Sequence, residues 1–178
     1  MKREKMQENI KNMAITAMFA AMVYVLTAFV HIPTHQGYVH VGDGIIYLSA
    51  AILPMPYAMA ASAIGAGLSD YMSGYAMWVV PTVIIKALTV MAFTNKEKRI
   101  VNKRNMFGVI GAGLICVGGY YTMGVLIAIM SGSDISAAFG GAVADIITNI
   151  IQSLASGILF VVMGLSLDKI NIKRIIRA

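Results

Sequence analysis

Long uncharged stretches separated by short polar turns make up most of this chain. Residues 12–30 carry no charged side chain, and neither do residues 44–69, 106–130 or 146–167. A membrane-crossing helix needs about 20 apolar residues. The pattern therefore predicts an all-α integral membrane protein, a single domain over 1–178 built as a bundle of six transmembrane helices at about 13–30, 43–54, 56–72, 75–93, 106–130 and 137–167. Pro54 and Pro56 split the second uncharged stretch, because proline removes a backbone donor and clashes with the preceding helical turn. Its two pieces form either two tilted spans joined by a tight turn or a re-entrant hairpin, and both return the chain to the same side. Ala61, Gly65 and Ser69 recur every four residues, which lets other helices approach closely and places this piece deep in the bundle. Asp43 stands where a helix start takes a capping or first-turn acid.

Composition removes the soluble alternatives. The chain is 58% hydrophobic and 12% charged, against about 25% charged for a soluble domain. Its net charge of +6 invites a nucleic-acid reading until the charges are placed. Thirteen of the fourteen Lys and Arg residues flank apolar runs, in clusters at 2–11, 96–104 and 169–177, and the exception is Lys86. The loops at 31–41, 70–75 and 131–136 contain no Lys or Arg. By the positive-inside rule those loops face outward and both termini are cytoplasmic, so the expected setting is a cell membrane, with lipid rather than nucleic acid around the protein. The first run is too long for a signal-peptide core and reads as a retained helix. Cys116, the single cysteine, cannot form an internal disulfide.

Against this apolar background a few polar groups stand out. Asp145, Asn149, Gln152 and Ser156 follow i, i+4, i+7, i+11 spacing and share one helix face. Lipid will not accept that stripe, so it either hydrogen-bonds neighbouring helices or lines a cavity or ligand site. Lys86 lies well inside its span and needs a carboxylate, with Asp70 and Asp145 as the candidate partners. Tyr38, Tyr71, Tyr75 and Trp78 near the outer surface suit either an interfacial aromatic belt or stacking on a flat ring-shaped ligand. His31, His35 and His40 lack the spacing and companion ligands of a metal site, so no metal or cofactor is expected. No nucleophile elbow, phosphate loop or zinc-protease motif is present to support catalysis or ATP hydrolysis. Ala14, Ala17 and Ala21 form a small-residue stripe on the first helix.

The blocks GYVHVGDGIIYLSAAILP, AIGAGLSDYMSGY and WVVPTVIIKAL resemble the substrate-binding S components of energy-coupling factor (ECF) vitamin transporters, in the riboflavin-type and hydroxymethylpyrimidine-type branches. The resemblance covers essentially the whole chain. It implies a high-affinity subunit of an ABC importer, not an enzyme, that takes a vitamin or vitamin precursor from outside. Its partners would be a transmembrane coupling protein and two ATPases. The ligand favoured is pyridoxine-like or hydroxymethylpyrimidine-like, with alpha-ribazole or a queuosine precursor also satisfying the polar groups. The resemblance implies substrate contacts from His35, Gln36, Tyr38, His40, Trp78, Lys86, Asp145, Asn149 and Gln152, with Asp43 and Asp70 as structural polar residues. It also implies docking of the coupling protein on the first helix at Ala14, Ala17 and Ala21, and tilting of the whole subunit during transport. The rival readings are a structural or regulatory membrane protein, an intramembrane enzyme and a stand-alone secondary transporter, the last usually built from larger repeated halves.

Overall fold

In the computed structural model, residues 2–33 and 38–177 are described. They form seven helices and one two-stranded ribbon: α1 (Lys2–Ala28), β1 (His31–Pro33), β2 (Tyr38–His40), α2 (Gly42–Ile52), α3 (Met55–Met72), α4 (Val79–Val90), α5 (Lys103–Met130), α6 (Ile135–Lys169) and α7 (Ile172–Arg177). A 3-10 turn at Ala76–Trp78 leads into α4. By length and composition α1, α5 and α6 are able to cross a membrane. The architecture is that of an all-α membrane protein.

The shortest of the apolar helices is the most enclosed. All eleven residues of α2 are buried, with α1, α3, α4 and α6 packed around it. Eleven residues rise about 17 Å, well short of a hydrocarbon core of about 30 Å. The break after α2 falls where the two prolines predict it. Leu53 is extended ahead of Pro54, as the residue before a proline prefers, and Pro56 occupies the first turn of α3, where a missing N–H costs nothing. Expected as a plain loop, residues 31–41 instead contain the ribbon, with His31 opposite His40 and Ile32 opposite Val39.

On α1, Asn12, Thr16, Ala20, Val23 and Thr27 are buried along one stripe. Ala14, Ala17 and Ala21 lie exposed on another. The inner stripe meets α3 at Gly65, where an added Cβ would stand 2.6 Å from the Ala20 carbonyl oxygen. Only glycine permits that crossing. Ala61 and Ser69, the other members of the small-residue series, are buried as well.

At the basic end of the bundle the segment between α4 and α5 is tied down by two side chains. The Asn105 side chain donates to the carbonyl oxygens of Thr94 (3.1 Å) and Ile100 (2.9 Å) and accepts from Thr94 N (2.8 Å). The Asp168 carboxylate accepts from Ile100 N (2.7 Å) and Val101 N (3.0 Å). Beneath this segment Tyr47, Phe93 and Phe160 form an aromatic cluster, with the Tyr47 and Phe93 rings stacked at 4.9 Å. Asn105 is fully buried, so Asn105→Ala strands several backbone groups, a loss of about 3 kcal/mol. Denaturation in detergent checks this: a midpoint unchanged from the parent chain would mean that the segment holds without Asn105.

Candidate functional site

The polar residues converge at the N-terminal end of α2, one turn from Tyr47 of the aromatic cluster. Asp43 lies in the first turn of α2 and receives Lys86 of α4, whose Nζ is 2.8 Å from each carboxylate oxygen. Both side chains are at most 1% exposed. Gln152 of α6 donates from Nε2 to Asp43 Oδ2 (3.1 Å) and accepts at Oε1 from His40 N (3.2 Å). One amide side chain therefore joins the ribbon to the carboxylate. Gly44 brings α2 this close to α6, since a Cβ there would stand 2.8 Å from the Ser156 carbonyl oxygen.

From α5, Cys116 Sγ lies 3.7 Å from Lys86 Nζ and 3.9 Å from Asp43 Oδ2. The Tyr120 ring centroid is 5.0 Å from Lys86 Nζ, a cation–π contact. The Tyr120 hydroxyl shares a 3.2 Å hydrogen bond with Thr82 Oγ1, and Trp78 tilts against the Tyr120 ring at 5.9 Å. The site thus presents a carboxylate, an ammonium group and an amide beside an aromatic wall. Such a set can bind a neutral ring whose edge alternates hydrogen-bond donors and acceptors.

His40 completes the floor of the ribbon. Its Nδ1 accepts from Gly42 N (3.1 Å), so the proton of the neutral ring sits on Nε2. Burial lowers its pKa to about 4; the negative charge of Asp43 offsets part of that shift, while Lys86 and His31 add to it. The folded histidine is therefore neutral where a free one, near 6.5, begins to charge. Stability from this group is complete above pH 6.5 and falls as the pH drops towards 4. By pH 5 the loss is about 2 kcal/mol. Melting of the parent and of His40→Asn at pH 7.5 and pH 5 measures it, and the variant should show the smaller drop.

Of the residues singled out in the sequence, Lys86, Gln152 and His40 are brought together, and Trp78 joins them through Tyr120. The partner of Lys86 is Asp43, which corrects the expectation of Asp70 or Asp145. The reason is geometric: α2 lies between α4 and α6, so its first-turn acid is nearer to Lys86 than either candidate. Asp70 is buried in the last turn of α3, its carbonyl oxygen accepting from Tyr75 N (2.8 Å). Asp145 and Asn149 are half-buried. The Asn149 side chain donates to the Asp145 carbonyl oxygen (2.8 Å), so the polar stripe of α6 turns fully inward only at Gln152 and Ser156. His35 and Gln36 lie outside the described residues, and Tyr38 is described by its backbone alone. Cys116, Tyr120 and Thr82 carry no sequence signal of their own. Asp43 did carry one, since it opens an uncharged stretch of 26 residues.

Over residues 7–169 the chain matches the family described as ECF-type riboflavin transporter, S component. It is similar to an uncharacterized protein in gap 3'region of Pyrococcus woesei, with 28% identity over 157 residues, which is 88% of this chain and 97% of that relative. No solved structure matches it.

Proposed function

Because this chain belongs to the ECF-type riboflavin transporter S component family, we propose that the cluster of Asp43, Lys86, Gln152 and Tyr120 is the recognition site for its vitamin-type substrate. The protein is a membrane-embedded transport subunit, the substrate-binding partner of an ECF module. The observation that carries the proposal is the buried Asp43–Lys86 pair with Gln152 bridging it to the ribbon. Replacing a buried ion pair by apolar residues is often neutral or stabilising. Three polar groups from three helices converging beside Tyr120 and Trp78 fit a ligand role better than a packing role.

The favoured ligand is a small polar heteroaromatic compound of pyridoxine or hydroxymethylpyrimidine type. Its ring would stack on Tyr120 and Trp78, while its edge exchanges hydrogen bonds with Gln152, Lys86 and Asp43. Alpha-ribazole and a queuosine precursor carry comparable edges, and riboflavin, named in the family description, is the larger competitor. His40 would bind from the ribbon, together with His35, Gln36 and Tyr38. Asp145 and Asn149, further along α6, would line the approach.

The topology we favour has six passes with both termini cytoplasmic. The α2 pass is shorter than a hydrocarbon core, which is tolerable because this backbone is enclosed by protein rather than lipid. The exposed Ala14, Ala17 and Ala21 would receive the coupling protein, with two ATPases behind it. Native mass spectrometry of the purified protein, followed by binding of pyridoxine, hydroxymethylpyrimidine and riboflavin, tests the ligand. Gln152→Leu should weaken the winning compound about tenfold or more. Unchanged affinity in that variant would remove the site from consideration.

A further inference from the structure

A second feature lies away from this cluster, on the exposed apolar side of α5 and α6. These helices enclose an apolar groove of about 590 Å³. Its walls include Met106, Ile110 and Val117 on α5 and Ile158 and Val162 on α6, and its one polar lining residue is Ser153. From Met106 to Val117 the rise is about 17 Å, close to half of a hydrocarbon core of about 30 Å. Each wall continues in register to a lysine. Lys103, Met106, Ile110 and Val117 follow i, i+3, i+7, i+14 spacing on α5, and Ile158, Val162 and Lys169 follow i, i+4, i+11 on α6.

Both lysines are exposed at the basic end of the helix pair. Among the described residues neither makes an ion pair. The neighbouring acid, Asp168, is engaged by the backbone N–H groups of Ile100 and Val101. An apolar slot with two exposed cations on the same helix faces beyond its basic end matches a molecule that has a hydrocarbon tail and a net negative head. A second copy of this chain would bring lysine against lysine. We infer that the groove seats an acyl chain of an anionic phospholipid whose phosphate is held by Lys103 and Lys169.

The test is thermal unfolding of the delipidated protein in neutral detergent with added phosphatidylglycerol or phosphatidylcholine of the same chain length. For the parent, phosphatidylglycerol should raise Tm by about 4–8 °C more than phosphatidylcholine. The Lys103→Gln/Lys169→Gln variant alters only exposed side chains, so it should fold and lose most of that difference. Gly113→Leu, which fills the groove, should lose the response to both lipids. Equal shifts with the two lipids in the parent, or a full difference retained in the lysine variant, would overturn the inference. So would an equal shift from glycerol phosphate without acyl chains, or a dimer on light scattering that Gly113→Leu abolishes.

Discussion

Replacing Lys86 by methionine is expected to destabilise the protein by about 3–5 kcal/mol and to abolish ligand binding. The side chain is fully buried and is 2.8 Å from both oxygens of Asp43, so its removal leaves an enclosed carboxylate without its cation, beside the Gln152 amide and the Cys116 thiol. Stability and recognition separate in the double variant Asp43→Asn/Lys86→Met. With no uncompensated charge left, most of the lost stability should return, because a buried pair as a whole contributes little net folding energy. If the proposed site is the recognition site, binding should not return, since its ammonium and carboxylate are both gone. Denaturation midpoints and equilibrium binding on the three variants read the two quantities independently. A stable double variant that binds like the parent would reduce the pair to a structural fixture and sink the proposed site.

Ala17→Trp or Ala21→Trp should suppress uptake about a hundredfold while leaving substrate affinity within about twofold. An indole forced into a close helix–helix contact costs about 2–3 kcal/mol, which is roughly a hundredfold in association. Both alanines are exposed, on a different face of α1 from the buried stripe of Asn12, Thr16 and Ala20, so the free subunit has little packing to lose there. Uptake by vesicles containing the whole ECF module, compared with binding to the isolated subunit, distinguishes the two effects. Undiminished uptake, or binding lost in a variant that still folds, would remove α1 from the docking role.

How far the fold could be read in advance depends on how each feature is encoded. Uninterrupted apolar runs encode membrane helices, and Pro54 encodes the break between α2 and α3 through Leu53, so both were legible. The enclosure of α2 was not, because an apolar run facing protein and one facing lipid have the same composition. The ribbon of His31–Pro33 and Tyr38–His40 was not legible for another reason: each strand has three residues, too few to show alternation. At the site, Lys86 was conspicuous as a lone cation inside a span, and Gln152 as part of a stripe. Tyr120 and Cys116 resemble any other residue of an apolar helix until a neighbour gives them a partner.

The sequence alone therefore determined that this chain is built of apolar helices suited to a bilayer, that the chain breaks at Pro54 between α2 and α3, and that Lys86 must have a buried acid. Which acid, and which side chains pack around the pair, were decided by tertiary structure. Hydrophobicity and proline act locally along the chain, whereas the meeting of Asp43 with Lys86, 43 residues apart, depends on α2 being seated between α4 and α6.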